Sequence, residues 1–317
     1  MKNKKDTSCA WRTSIGGQAL IEGILMRGPE KQAIVCRKAD GELVVKEDEL
    51  RLVKSKYPIL GWPFIRGVVN FLDSMVKGVQ AVTWSAEQQP EETQEQPTKF
   101  DLWLEKHLGS EKAEKAIMGL AVFLGLALAI VLFFFVPTLL TGLLDGLVKS
   151  RLLRNLIEGV IRICIFLLYL WGVTKMPDIR RMFSYHGAEH KTIHCYERGL
   201  ALTVENVRPM PKEHPRCGTS FLFVVMIVSI LVLMFVGWSS PLLRLVVRLL
   251  LLPVIVAISY EINRWVGRHD NALSSALSWP GRQLQHLTTF EPDDTMIECA
   301  IEALRRVLPE EKGADRW

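Results

Sequence analysis

Four long apolar runs constrain the fold of this chain more than any other feature. Residues 116–140 and 219–238 carry no charge over a length that spans a bilayer. Residues 152–173 and 241–260 are also apolar, although each carries arginines in its first half. Long arginine side chains can extend to the membrane interface, so we predict that all four runs cross the membrane. The predicted fold class is a mainly α-helical polytopic membrane protein with four transmembrane helices.

The composition favours a membrane protein. Hydrophobic residues make up 49% of the chain and the mean hydropathy is +0.17, which is high for a soluble protein. The net charge is +5, and the basic residues mostly flank the apolar runs instead of forming one patch. We therefore predict the lipid bilayer as a partner and no nucleic-acid partner. The alternative, buried helices of a soluble protein, is disfavoured because two runs exceed ordinary core helices in apolar length.

The distribution of lysine and arginine predicts the orientation. Residues 174–218, between the second and third runs, carry eight of them, whereas the short segment around Ser239 and Ser240 carries none. Cytoplasmic segments of membrane proteins are enriched in these residues. Residues 1–20 lack the apolar core of a signal peptide. We expect residues 174–218 and both termini to lie on the cytoplasmic side.

Smaller elements are predicted before the first span. Short alternating runs broken by Gly28-Pro29 and by Asp40-Gly41 indicate two to four strands. An apolar stripe at helical spacing then indicates an amphipathic helix in the membrane interface. A stretch rich in Gln, Glu and Pro indicates a flexible linker. The predicted segments are a cytoplasmic β unit (12–56), the interfacial helix (57–84), the linker (85–100), the membrane domain (101–305) and a C-terminal tail (306–317).

The stretch "YHGAEHKTIHCYERG", residues 185–199, holds three histidines at four-residue spacing. A helix over 178–198 would place His186, His190 and His194 along one face, because residues four apart differ by 40°. Glu197 falls near the same line, and Glu189 lies 60° to the other side of His186 by the same geometry. Histidines at i and i+4 can share a metal ion, so the stretch predicts a metal site, with Zn²⁺ as the favoured ion.

The order of these residues also predicts a catalytic arrangement. "HGAEH" matches H-x-x-E-H, in which two histidines bind zinc and the glutamate is the general base for a water molecule acidified by the metal. His186, His190 and Glu189 would fill these roles. A third ligand is required, and the spacing leaves several candidates open. They are His194, Glu197, His214, Cys217 and Glu261.

"HPRCGTSF", residues 214–221, is a second compact polar element, and three interpretations remain open. His214 and Cys217 would complete a closed structural metal site. Alternatively, the segment is a helix-start turn with Thr219 or Ser220 as N-cap. In the third interpretation, Cys217 is a nucleophile with a histidine base. For the histidine helix itself, the alternatives are hydrogen bonds to neighbouring loops and haem ligation.

Five motifs of this sequence are distinctive in combination. They are "GGQALIEGILMRGPEK" (16–31), "RGVVNFLDSMVKG" (66–78), "YHGAEHKTIHCYE" (185–197), "HPRCGTSF" (214–221) and "YEINRW" (260–265). Together they resemble the YqhQ-like family, a bacterial membrane family of unknown function sometimes labelled a predicted metal-dependent enzyme. The resemblance covers about residues 12–305. It implies a bacterial plasma-membrane protein, and it supports His186, Glu189, His190, His194, His214 and Cys217 as the site.

The function predicted from these features is a zinc-dependent hydrolase with its site at the cytoplasmic membrane surface. Its substrate would be a membrane peptide, a lipid or an amphipathic metabolite. The alternative is a non-enzymatic scaffold or assembly factor that binds other membrane proteins, with the histidines as a structural metal site or hydrogen-bonded cluster. Metal transport is disfavoured, because no predicted span carries a file of carboxylates or histidines.

Overall fold

The computed structural model describes residues 11–50, 58–90, 107, 109–144, 146–235, 241–269, 271–311 and 313–316. The chain divides into two compact units, which are described separately. Unit 1 comprises residues up to 89, 170–228 and 253 onwards. Unit 2 comprises residues 90–169 and 229–252.

Helices dominate the described chain. They are α1 (Ile65–Glu87), α2 (Ser110–Ile130), α3 (Val136–Gly142), α4 (Arg151–Val173), α5 (Pro177–Glu197), α6 (Val204–Val207), α7 (Gly218–Met234), α8 (Pro241–Arg268), α9 (Ala272–Thr288) and α10 (Asp294–Val307). A π-helical segment, Val131–Phe135, joins α2 to α3. A 3₁₀ turn, Pro58–Gly61, precedes α1.

Three helical stretches in the described chain are long and apolar enough to cross a membrane. They are Ala116–Gly142, Leu152–Val173 and Val246–Arg268. These stretches indicate a membrane-associated protein. The third apolar run of the sequence forms α7, which is apolar but has only 17 described helical residues. The rest of that run, residues 236–238, lies outside the described residues, so the fourth span remains a prediction.

The amino-terminal strands form one antiparallel sheet in sequential order. The strands are β1 (Gly16–Leu20), β2 (Gly23–Arg27), β3 (Lys31–Arg37) and β4 (Leu43–Glu49). The predicted hairpin at Asp40-Gly41 joins β3 to β4, and Gly41 adopts a positive φ of 88° that favours glycine. The sheet therefore agrees with the upper end of the predicted strand number.

Both faces of the sheet are buried within unit 1, because successive side chains of a strand point to opposite faces. Ile24 and Met26 of β2 join a core with residues of α5 and α10, including Ile193 and Ile297. Leu25 joins a second core with α1, in which Ala81 is buried. Unit 1 is thus layered as α1, sheet, and α5 with α10. This arrangement holds α5 between the sheet on one side and the segment after α6 on the other.

The exposed side of α1 is apolar. Leu72, Met75, Val76 and Val79 are all at least 44% exposed, at the spacing of one helix face. The predicted linker follows, and residues 91–100 of it lie outside the described residues.

A buried charge cluster crosses the helices of unit 2. Glu158 of α4 receives hydrogen bonds from Arg248 of α8, with a Nη2–Oε2 distance of 2.8 Å, and from Arg162 one turn further along α4. Arg162 Nε also donates to the carbonyl of Phe133, in the π-helical segment, at 2.8 Å. The prediction that the arginines extend to the interface is wrong for Arg162 and Arg248, which are 6% and 2% exposed. A buried carboxylate on α4 retains them because an unpaired buried charge is costly.

Candidate metal centre

Helix α5 is buried on nearly every side through its second half. Residues Tyr185 to Cys195 are all buried, although the helix has a low mean hydropathy for such a position. One face packs its apolar residues on the sheet. The other face carries His186, His190 and His194. The ring centroids of His186 and His190 are 4.4 Å apart. The four-residue spacing thus places the histidines as the sequence predicts.

Each of the three imidazoles is oriented by a main-chain carbonyl. Nδ1 of His186 lies 2.8 Å from the oxygen of Thr288, and Nδ1 of His190 lies 2.6 Å from that of Lys212. Nε2 of His194 lies 2.9 Å from the oxygen of Glu213. A carbonyl only accepts, so the bonded nitrogen of each ring carries the proton and the other nitrogen of a neutral ring offers a lone pair. Metal-binding histidines are held in this way.

Two of the lone-pair nitrogens are buried without a hydrogen-bond partner among the described residues. They are Nε2 of His190 and Nδ1 of His194, and the residues are 1% and 8% exposed. Buried polar atoms in folded proteins nearly always have a partner. These two atoms are therefore candidates to bind a ligand.

The first group of ligand atoms fits a zinc ion. One ring nitrogen each of His186 and His190 and the Sγ of Cys217 all lie within 4.8 Å of one another, and His186 Nε2 is 3.1 Å from Cys217 Sγ. Neighbouring ligands of a tetrahedral zinc ion are about 3.5 Å apart, given its usual bond lengths. The set supplies two nitrogens and one thiolate, which zinc accepts. Three protein ligands leave a fourth position open, as in catalytic zinc sites.

The electrostatics of this group favour the thiolate form of Cys217. Burial alone raises the pKa of the thiol, but His186 and His190 outweigh it and lower that pKa well below its usual value. Burial likewise disfavours charge on His186, but Cys217 outweighs it and raises the pKa of His186 to about 9. The thiolate is the form that binds metals.

Glu189 lies beside this group and has one free oxygen. Its Oε1 accepts a hydrogen bond from the Gly17 amide at 2.9 Å, while Oε2 is buried without a partner. Burial raises the pKa of Glu189, although His186 and His190 act in the opposite direction. A carboxyl with a raised pKa and one free oxygen is suited to exchange a proton with water.

Glu189, His190, His214 and Cys217 line one cavity of about 430 Å³. Its other walls come from Gly16 and Gly17 of β1 and from the inner side of α1. Asn70, Asp73, Ser74 and Lys77 are the contributions of α1. The cavity is large enough for part of an organic substrate.

A second group of ligand atoms belongs to His194, Glu197 and His214. A guanidinium already holds its carboxylate: Arg216 Nη2 donates to Glu197 and lies 3.4 Å from His214 Nε2. The Thr13 amide also donates to Glu197, at 2.9 Å. A fixed cation at this distance opposes a metal ion, so the first group is the better metal site.

The structure shows where the residues that the sequence left open lie. His186, His190 and Cys217 form one group, His194, Glu197 and His214 form a second, and Glu189 lines the same cavity as His190 and Cys217. Glu261 does not join them, because its carboxylate binds Arg66 at 2.5 Å and 2.8 Å. At the start of α7, Cys217 itself takes the capping position proposed for Thr219 or Ser220. The Thr219 amide lies 3.4 Å from its sulfur.

Comparison with known proteins gives the family. The model of a family described as "Protein of unknown function (DUF1385)" matches residues 62–310. The chain is 32% identical over 306 residues to "Uncharacterized protein YqhQ" of Bacillus subtilis (strain 168), with 92% of each chain covered. The chain belongs to the DUF1385 family. No solved structure matches it significantly. All candidate ligands of this DUF1385 chain lie within the matched residues, whereas Gly17 lies before them.

Several contacts that build the centre cannot be predicted from spacing along the sequence. Gln285 of α9 is fully buried, accepts from the His214 amide at 2.7 Å and donates to the His214 carbonyl at 2.8 Å. It thereby fixes the loop that carries Cys217. Gly17 orients Glu189, and Arg216 neutralises Glu197. Each lies far along the chain from its partner, so spacing along the sequence does not reveal it.

Gly187 is unusual inside a helix, and close packing explains it. A Cβ at this position would lie 2.1 Å from the main-chain oxygen of Phe290. We expect Gly187→Ala to destabilise this DUF1385 protein by about 1–3 kcal/mol, because the backbone must shift. Thermal unfolding in detergent measures the effect. Gly172→Ala is the control, since nothing lies within 4 Å of its Cβ. Equal or higher stability of Gly187→Ala would contradict the packing.

Proposed function

We propose that this protein is a zinc-dependent hydrolase whose site faces the cytoplasm at the surface of a bacterial plasma membrane. His186, His190 and Cys217 would hold the metal and Glu189 would be the general base. One observation carries the proposal. His190 and Glu189 line one cavity beside the His186–Cys217 pair, and each has a buried side-chain atom, Nε2 and Oε2, without a hydrogen-bond partner among the described residues.

The bound zinc would supply Lewis acidity, which makes water reactive near neutral pH and polarises a carbonyl or phosphoryl group. The chain supplies the remaining functions. The free oxygen of Glu189 accepts a proton from water, and the Gly17 amide fixes the carboxylate through its other oxygen. Burial keeps that proton available for the leaving group, because it raises the pKa of Glu189. The carbonyls of Thr288 and Lys212 fix the two histidine rings.

The two sides of α1 support an amphipathic substrate from the membrane. One side lines the cavity with polar residues, among them Asn70 and Lys77. The opposite side exposes Leu72 and Val76, as expected of a helix lying in the membrane interface. A substrate with a polar reacting group and an apolar body would reach the cavity along this helix. Membrane peptides, lipids and amphipathic metabolites share that character.

We also infer that α7 crosses the membrane, which gives four spans. The polar segments before α7 and after α8 both belong to unit 1, which puts them on the same side of a bilayer. If α8 crosses, α7 must cross in the other direction. The helix covers about 26 Å, and apolar residues continue to 238. The two described ends of the chain should likewise lie on one side of the membrane, because the Ser14 amide donates to the carbonyl of Asp315.

The deciding experiment is metal analysis of the purified full-length chain. We expect about one zinc per chain in the wild type, and loss of most of it in His190→Ala and in Cys217→Ala, because each removes one of three ligands. His286→Ala is the matched control, because this histidine is exposed and contacts only Glu213 among the described carboxylates. An absence of stoichiometric metal from the wild type, or its retention in both ligand variants, would disprove the metal site.

A second candidate is a non-enzymatic membrane scaffold. The exposed apolar side of α1 favours it, since such a surface also suits a partner membrane protein. In that case the metal group would be a structural staple. Pull-down from native membranes with the wild type and with Met75→Glu in α1 tests it. A scaffold would lose a specific partner in the variant, whereas a hydrolase would retain its chemistry on detergent-solubilised substrate.

A further inference from the structure

A smaller cavity in unit 1 has a strongly basic lining. Its volume is about 140 Å³, and it lies at the end of α8 and beside α9. No Asp or Glu occurs among the described residues that line it. Those residues are Arg12, Pro215, Arg216, Val266, His269, Ser274, Ser275, Ser278 and Arg282. A basic lining in so small a space favours the binding of an anion.

Two of the arginines have hydrogen-bonding capacity that the described residues do not use. Nε of Arg216 and Nε of Arg282 are buried without an acceptor in this part of the chain. The charge of Arg216 is offset by Glu197. Arg282 forms no ion pair with any described residue, so its charge is uncompensated in this part of the chain. Guanidiniums bind phosphate through paired N–H donors.

Helix α9 arranges further polar groups around Arg282. Ser275, Ser278 and Arg282 are spaced by three and four residues, which places them on one helix face. The hydroxyl of Ser278 donates to the Ser275 carbonyl at 3.2 Å, so it is already used as a donor. The exposed hydroxyl of Ser275 is the serine donor best placed to meet a ligand. The donors therefore suit a group rich in acceptor oxygens.

The position of the cavity indicates where such a group comes from. Val266 and His269 line it, and they lie at the end of Val246–Arg268, a helical stretch that is able to span a membrane. Trp279 lies 60° around α9 from Arg282 and is 57% exposed. An exposed aromatic side chain near a basic cavity at a span end matches the apolar and polar parts of a phospholipid. Phosphate headgroups lie at this level of a bilayer.

We propose that this cavity binds a phosphate group, supplied by a membrane phospholipid. A soluble phosphate offers the same chemistry, and the experiment distinguishes the two sources. The site is separate from the candidate metal centre and does not depend on hydrolysis. Arg216 lines both cavities, so Arg282 is the residue to change.

The test uses the full-length chain purified in detergent. Phospholipids that remain bound are identified by native mass spectrometry, and affinity is measured with vesicles of phosphatidylcholine with and without phosphatidylglycerol. Inorganic phosphate is titrated in parallel. We expect Arg282→Gln to weaken binding about tenfold or more, because a charged hydrogen-bond donor is lost. Arg305→Gln, an exposed charge change on α10, is the matched control and should bind as the wild type does.

Ser275→Asp is the second variant, because it places a carboxylate beside the cavity and leaves every arginine in place. We expect it to abolish binding without unfolding the chain, since Ser275 is exposed. Lipid binding that both variants lose supports the proposal with a membrane source. Loss of binding to inorganic phosphate alone supports it with a soluble source. If neither probe binds the wild type, or if both variants bind as tightly as Arg305→Gln, the proposal is overturned.

Discussion

Glu189→Gln is expected to retain zinc and to lower hydrolysis about 100- to 10,000-fold, the usual contribution of a positioned general base. The change is nearly isosteric. Gln keeps the oxygen that accepts from the Gly17 amide and replaces the unpartnered Oε2 with an amide group that cannot accept a proton. His186, His190 and Cys217 are untouched, so the metal content should match that of the wild type.

The measurement compares membranes incubated with purified wild type or with Glu189→Gln, using untargeted mass spectrometry of lipids and peptides. Products that accumulate only with the wild type identify the substrate, and their rate of formation gives the size of the effect. Glu205→Gln, on the exposed helix α6, is the matched control and should behave as the wild type does. Identical products and rates with Glu189→Gln would refute the proposed role of this residue and favour the structural interpretation of the metal site.

Glu158→Leu is expected to destabilise the helices of unit 2 by about 3–5 kcal/mol, because it leaves Arg162 and Arg248 buried without their carboxylate. Both arginines are less than 9% exposed, so water cannot replace the lost partner. For a chain of this size the midpoint of thermal unfolding in detergent should fall by roughly 10 °C. Circular dichroism or intrinsic tryptophan fluorescence follows the transition.

The double variant Glu158→Leu/Arg248→Met separates the loss of a partner from the loss of volume. Apolar replacement of a buried ion pair is often close to neutral, so the double variant should recover the part of the lost stability that is due to Arg248, while Arg162 still lacks its carboxylate. A full-sized loss in the double variant would mean that the unpaired charge of Arg248 does not explain the effect. Wild-type stability of Glu158→Leu alone would show that the pair contributes little.

Local periodicity predicts much of this structure because it depends on neighbours in the chain. The four-residue spacing of His186, His190 and His194 fixes them on one face of any helix, and the protein forms that helix at Pro177–Glu197. Asp40-Gly41 likewise marks a hairpin, since its backbone conformation is a local property. The same local rules locate the apolar runs. Three of these runs form helices long and apolar enough to span a membrane among the described residues.

Other features depend on residues that are distant in sequence, and no spacing reveals them. The sequence spacing leaves the third ligand open among five residues. The fold brings Cys217 to the two histidines, because Gln285 holds the loop before it. From the sequence, Arg162 and Arg248 are predicted to be interface anchors, but in the structure both donate hydrogen bonds to Glu158. From the sequence, Gly187 is only an unfavourable residue for a helix, but in the structure the carbonyl of Phe290 leaves no room for a Cβ there.

The carbonyl of Thr288 has a consequence for when the candidate metal centre can be completed. The ring of His186 is oriented by a residue 102 positions later, and the main chain at His214 is held by Gln285. Translation adds roughly 5–20 residues per second, so the histidine helix leaves the ribosome several seconds before these partners exist. All the apolar helices are made before then. While those helices emerge, the nascent chain therefore holds all three proposed ligands without the groups that fix them, and the proposed centre is completed only after the last apolar helix has been made.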